Sequence, residues 1–425
     1  MANNLLTIAM ITRESLRVLE NSLTFTKQIE RQYDDKFAVA GAKIGTVINI
    51  RKPPRYVGRS GQALSLEDAT ETSVPLALSN QKGVDIAFTS QDLTLSIDDF
   101  SKRFLKPAVA SVANTVDVDG ITATINGVYN VIGTPGTPPA AALTYLQAGQ
   151  RLNEEACPVD DRKLVLPPKF VPPIVDALKG LFQSSEQIAE QYRKGMMGTG
   201  LGFEWFMDQN LFSHTGGPLG GSPTVTGAGQ TGSSLLTGGW TAAAALRLKK
   251  GDVFTLPSVF AVNPQNHLST GVLRQFTVMS DFSSDGTGAG SISIWPPIIP
   301  IGGSASIPAS FVGGVPGANP VTLGAGFATV SASPGAGAAL TPLFTASQVS
   351  DNALSFYPEA FAMGCADLLL PGGVDMAARV SDDQLGLSLR AIRAYDINQD
   401  RFPTRLDILY GHAVLYAEMA CRVAG

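Results

Sequence analysis

Between Gly216 and Val349 the chain nearly stops using charge. These 134 positions hold seven charged residues against 60 in the other 291, and 23 of the 44 glycines. The apolar residues here follow no helical period and fall in short runs. Val253, Phe254, Leu256, Val259, Phe260 and Val262 form the first run, broken by Pro257 and closed by Pro264. Leu273, Phe276 and Val278 form the second, and Ile292, Ile294 and Trp295 the third. Short strands at this spacing, punctuated by Gly and Pro, predict a small all-β sandwich or barrel. From 300 to 345, Gly, Ala, Ser and Pro leave no strand pattern. Both flanks carry ordinary charge, so the economical reading is a β-module set inside another domain.

At 425 residues the chain has room for one large core and a second domain. A net charge of −5 speaks against a general affinity for nucleic acid. The three cysteines, Cys157, Cys365 and Cys421, form no CxxC pair and make an odd total. That predicts a reducing compartment, with no disulfide scaffold and no zinc site. The apolar run LLTIAMI is too short to span a bilayer and has no basic residue before it. A cytosolic chain without membrane contact is expected.

An amphipathic helix is predicted over 3–31, from Leu5, Ile8, Leu16, Leu19, Leu23 and Ile29. Period-two alternation begins near Gly45 and leads to a basic stretch with Arg51, Lys52, Pro53, Pro54, Arg55 and Arg59. Four cations within nine positions repel one another, so the stretch reads as a solvated loop or a contact to an anionic protein surface, with phosphate binding the lesser alternative. SVPLALSN and GVDIAFTSQDLTLSI read as further strands. Ser96, with Asp98 and Asp99 in the first turn, starts a long spine helix. It is expected to kink at Pro107 and to reach about Val131. A turn at GTPGTPPAA leads into a helix over 140–156, the strand RKLVLPP and short helices at VPPIVDALKGLF and SSEQIAEQYRKG. GLGFEWFMDQN returns to strand. After the insert a helix is predicted around Glu359 to Leu368. Two long strands follow, joined over 398–403, with Leu387, Leu389 and, as a further candidate, Ile392 on one side of the first and Leu406, Ile408 and Tyr410 lining the second.

No constellation for catalysis emerges. His214-Thr215-Gly216-Gly217 is similar to an esterase oxyanion loop, but no G-x-S-x-G elbow accompanies it. The glycines of GTGLG are spaced too evenly for a dinucleotide fingerprint. His267 and His412 stand alone and read as structural. Asp34-Asp35, Glu154-Glu155, Asp160-Asp161 and Asp382-Asp383 read as solvated turns or helix ends. No catalytic, cofactor or metal site is assigned.

The order of elements, with SIDDFSKRFLKPAVASVAN, VYNVIGTPGTPP, GFEWFMDQNLFSHTGG, KKGDVFTLPSVFAVNPQNHLSTGVLRQF and AIRAYDINQDRFPTRLDILYG, resembles the major capsid (coat) proteins of tailed bacteriophages. The resemblance is to the branch with an inserted barrel, typified by short-tailed Salmonella phages. It implies an α+β capsid fold with an N-terminal arm over 1–40 and an extended loop and peripheral domain with the spine helix over 41–139. An axial domain would follow over 140–216, the inserted β-barrel over 217–349, and a return through both domains over 350–425. It also implies pentamers and hexamers in an icosahedral shell, with scaffolding protein, portal and packaged double-stranded DNA as partners. Assembly in the host bacterial cytoplasm and residence in the virion follow from the same resemblance. Arg51, Lys52, Arg55 and Arg59 then become candidate intersubunit contacts. The residues alone leave open a lectin-like surface-binding β-module, and a hydrolase.

Overall fold

The computed structural model describes residues 23–31, 47–58, 61–62, 66, 70–89, 106–178, 198–211, 213–309, 320–382 and 387–425. Most of the helix predicted over 3–31, the helix start at Ser96, Arg59 and the helix at SSEQIAEQYRKG lie outside them. The chain forms two compact units.

The first unit contains Pro75–Ile121 and Phe361–Ala413 with the described part of Met1–Ile48. Its spine helix α2 (Lys106–Ile125) follows the short α1 (Phe25–Gln28). Pro107 is the second described residue of α2, so the kink expected there lies at the edge of the described residues. The helix stops at Ile125 rather than near Val131. Gly127 and Val128 turn back with bonds to Thr124 and Ile125, and Val131–Gly133 is a strand. Asp117 on α2 accepts the amides of Thr24 at 2.7 Å and Thr26 at 3.0 Å, so a distant carboxylate caps α1.

The sheet of this unit is built on Arg401–Val414, paired with Leu387–Arg393 on one side and Asn80–Thr89 on the other. Leu387, Leu389 and Ala391 and then Leu406, Ile408 and Tyr410 are buried, as period-two alternation requires. Ile392 falls on the other side of its strand and is half-buried. On that face Arg390 stands opposite Asp407 at 2.6 Å, and Arg405 opposite Asp85 at 2.8 Å. The helix predicted around Glu359 to Leu368 is a 3-10 turn (Pro358–Ala360) followed by a strand (Phe361–Ala366). Phe361, Ala362, Met363 and Cys365 are all buried, and a short run buried on both faces carries no period to separate strand from helix.

The second unit contains Asn49–Val74, Thr122–Ala360 and Val414–Gly425. A seven-stranded mixed sheet places the last strand, Ala420–Ala424, between Val349–Phe356 and Val131–Gly133. Lys163–Leu166 and Phe203–Met207 continue it. Helices α3 (Ala142–Glu154) and α4 (Val171–Leu178) contribute Tyr145, Ala148, Leu152 and Ile174 to a core shared with Phe170, Trp205 and Val423.

In the same unit the low-charge stretch forms a closed barrel. Its strands run in the order Thr341–Pro342, Val253–Val262, Ser269–Val278, Gly290–Ile298, Gly232–Gly238 and Thr224–Val225. A bridge from Thr224 to Ala339 joins the two ends. Closure removes the free edges of so small a sheet. Inside, Leu235, Phe254, Leu256, Phe276, Ile292 and Ile294 are sealed from solvent, each burial contributing roughly 1.5–3 kcal/mol. Pro257 leaves its strand without an N–H for the ladder; the register shifts between Thr255 and Phe260, and Ser258 takes φ 63°. The patternless stretch over 300–345 yields a short hairpin, Ala305–Ile307 with Val321–Leu323, and the closing segment at 337–342.

Candidate functional site

The basic stretch has a different setting from the one its charge predicts. Arg51 is exposed, 3.9 Å from Glu71. Lys52 turns inward: its Nζ donates to the Leu415 carbonyl and lies 4.7 Å from the centre of the Tyr416 ring. Arg55 pairs with Glu418 at 2.5 Å and stands over the Phe327 ring. The anion expected from elsewhere is therefore supplied, for two of the three described cations, by this chain's own C-terminal segment. Burial pushes the Glu418 carboxyl up, but Arg55 and Lys52 more than offset it and hold it below its ordinary range. Burial lowers the Lys52 ammonium despite Glu418.

A second charged cluster lies across a cavity of about 440 Å3 that Lys52, Arg55, Glu418, Arg274, Glu155 and Trp295 help to line. Arg274 Nη1 pairs with Glu155, and its Nη2 donates to the Tyr129 hydroxyl at 3.1 Å. The guanidinium also sits 4.6 Å from the centre of the Tyr129 ring. Arg274 belongs to the barrel strand Ser269–Val278; Glu155 and Tyr129 belong to the part that carries the barrel. Glu155 thus departs from the solvated role predicted for Glu154-Glu155. Burial pushes both the Glu155 carboxyl and the Tyr129 hydroxyl up, against the pull of Arg274.

The same strand makes two further contacts of the seam, and Asn263 and Arg422 add to it. The Gln275 side-chain amide accepts from Val131 N at 2.7 Å and donates to Val131 O at 2.8 Å, as a neighbouring strand would. Thr277 donates to the Asn126 carbonyl at 3.2 Å, and Asn263 to the Glu154 carbonyl at 2.8 Å. Arg422, from the final strand, donates to the Gly251 carbonyl at 2.9 Å. At the first connection, His214 meets Asp252 at 2.7 Å, and Asp252 also accepts the amides of Gly217 and Lys249. His214 thus ties the strand leading into the barrel to the turn at Asp252. His412 lies in the first unit, where its Nε2 approaches the spine helix at Gly120.

These arrangements clamp and position; among the described residues no group of three or more His, Cys, Asp or Glu is placed to hold a metal ion. Sequence reasoning missed Glu155, Arg274 and Glu418 as a structural network. Their one signal is a charge inside an otherwise apolar run, as in VLYAEMAC for Glu418.

The family model described as P22 coat protein, gene protein 5, matches residues 1–425. Among solved structures, one from Mycobacterium phage Che8 is 11% identical, covers 94% of this chain and 90% of its own, and gives a TM-score of 0.43. The capsid of Ralstonia phage GP4 is 7% identical, with 92% and 84% covered and a TM-score of 0.42. The CUS-3 coat protein I-domain is 22% identical over 28% of this chain and 94% of that domain, with a TM-score of 0.18. No curated protein matches the chain. With both the barrel and its carrier falling inside one family match, this chain belongs to the P22 coat protein family.

Proposed function

We propose that copies of this coat subunit join as pentamers and hexamers into the icosahedral shell of a tailed phage, around double-stranded DNA. The observation that carries the reading is the family match over the whole of 1–425, barrel included. The subunit is a structural protein, and its buried charges serve its own architecture rather than a reaction. Scaffolding protein and portal are its partners during assembly in the host cytoplasm; DNA contacts the inner face without sequence preference. The arm, extended loop, peripheral, axial and insertion domains divide the chain as the resemblance implies, at 40, 139, 216 and 349. Within the basic stretch, the exposed Arg51 and the undescribed Arg59 remain candidates for intersubunit contact. Lys52 and Arg55 support that contact by fixing the stretch to the C-terminal segment.

Expression of the full chain, alone and with its scaffold, followed by negative-stain microscopy, tests the reading. Closed shells are expected. A subunit that stays monomeric under all such conditions overturns it.

A further inference from the structure

The cavity of about 440 Å3 lies wholly within the second unit and has the size of a small-molecule site. Its wall combines rings with a few charges, as such sites do: Trp295, Phe327 and Tyr416 line it beside Lys52, Arg55, Arg274, Glu155 and Glu418. Three cations against two carboxylates leave one positive charge over. Glu359 also lines the cavity, but it is exposed and left to water.

The donors are not used up either. Lys52 Nζ spends one of its three N–H groups, on the Leu415 carbonyl. Burial lowers its ammonium although Glu418 is near, so Glu418, already paired with Arg55, does not fully compensate it. Arg274 satisfies Glu155 and Tyr129 through its two terminal nitrogens, while its Nε is buried without a hydrogen-bond partner. Native structures rarely keep such a donor without a reason. A clamp that only joined barrel to carrier would need the Arg274–Glu155 and Arg55–Glu418 pairs, each neutral in itself. It would not need Lys52, nor a ring-lined cavity beside it.

We propose that this cavity binds a small organic anion, a carboxylate or phosphate group on a flat aromatic body, with the acidic group at Lys52 and the body against the lining rings. The acidic group neutralises the surplus cation and accepts from its free N–H groups, a charge-assisted bond in a partly dry site. The body takes the place of water against Trp295 and Phe327, where ring-on-ring contact adds to burial.

Titration of the free full-length subunit with benzoate, phenyl phosphate, benzyl alcohol and inorganic phosphate tests the proposal by calorimetry and tryptophan fluorescence. At least one aromatic acid should bind once per chain, about tenfold or more tighter than benzyl alcohol or inorganic phosphate. The tighter of the two acids shows whether carboxylate or phosphate is recognised. Of the three tryptophans only Trp295 lines the cavity, so Trp295→Phe should abolish the fluorescence change. Lys52→Gln keeps a donor for the Leu415 carbonyl but removes the charge, and should weaken binding about tenfold or more. Arg51→Gln, at the exposed neighbour, should leave it unchanged. Circular dichroism checks that each variant is folded during the titration. The proposal is overturned by absence of saturable binding of both acids in the millimolar range, by benzyl alcohol or inorganic phosphate binding as tightly, or by unchanged affinity in Lys52→Gln. A fluorescence change that survives Trp295→Phe overturns the location. Shell formation is a separate readout, so this proposal and the coat reading can fail independently.

Discussion

Arg274 and Glu155 lie 119 residues apart and form an ion pair with side chains only 4% and 5% exposed. One stands on a barrel strand, the other just after α3. A buried pair costs much desolvation and rewards it only when both members remain. Here Tyr129 completes the cluster by accepting from Arg274 and offering its ring face. The pair therefore acts as a keyed joint: it fixes where the barrel sits more than it adds net stability.

Arg274→Met should lower unfolding stability by about 3–5 kcal/mol, because Glu155 is left charged and uncompensated. Arg274→Met with Glu155→Leu should recover most of that loss. Denaturant titration of the single and double variants measures the coupling. Additive losses would show that the two side chains act independently.

Arg55→Glu should destabilise the subunit by about 1–3 kcal/mol, since it sets a second carboxylate against Glu418. Arg51→Glu, at 83% side-chain exposure, should change stability by less than about 0.5 kcal/mol. Thermal melting of the two single variants distinguishes them. Equal effects would mean that Glu418 does not anchor the stretch.

The barrel was legible because its apolar residues fall in short runs punctuated by Gly and Pro, so the strand Val253–Val262 could be placed from residues alone. The hairpin around Leu389 and Leu406 was legible from its period-two alternation. The strand Phe361–Ala366 was not legible, because Phe361, Ala362 and Met363 are buried on both faces and leave no alternation to read. The network was illegible for another reason. Arg55 and Glu418 are 363 residues apart, and local sequence does not say which distant anion a cation will meet. Charge clustering pointed to an anionic partner but could not say that Glu418 of the same chain stands beside Arg55.

The three cysteines should behave as buried, unpaired thiols. Burial pushes Cys365 and Cys421 up to about 12 and Cys157 up to about 11. Thiolate is the reacting form, so a thiol reagent at neutral pH should find almost none in the native protein. After unfolding without reductant it should find three per chain. A lower count would require a disulfide.

His412 should make the first unit acid-sensitive. Both of its ring nitrogens are buried without a hydrogen-bond partner. Burial lowers its pKa to about 4, with Asp119 opposing the shift. The native state therefore resists protonation that the unfolded chain accepts near about 6.5. The stability it contributes is present above that value and is lost as pH falls towards 4, about 1.4 kcal/mol per unit. Between pH 7 and 5 the parent should lose about 2 kcal/mol more than a His412→Gln variant. Parallel pH profiles for the two proteins would contradict this.

The last expectation concerns why Gly120 is a glycine. It sits inside α2, where glycine is about 1 kcal/mol worse than alanine. A Cβ added there would lie 2.8 Å from His412 Nε2, closer than carbon and nitrogen can pack. The neighbouring bond from the Tyr410 hydroxyl to Asp119, at 2.7 Å, ties strand and helix at this level. The ring therefore has little room to retreat. Two opposed effects thus meet at one position, and the sign of the substitution depends on the ring. Gly120→Ala should destabilise the parent by about 1–3 kcal/mol through overpacking. In a His412→Ala background the clash is gone, and the same change should stabilise by up to about 1 kcal/mol through helix propensity. A reversal of sign between the two backgrounds, measured by denaturant unfolding, identifies the helix–ring contact as the cause. If Gly120→Ala has the same effect in both, the glycine is required by something other than His412.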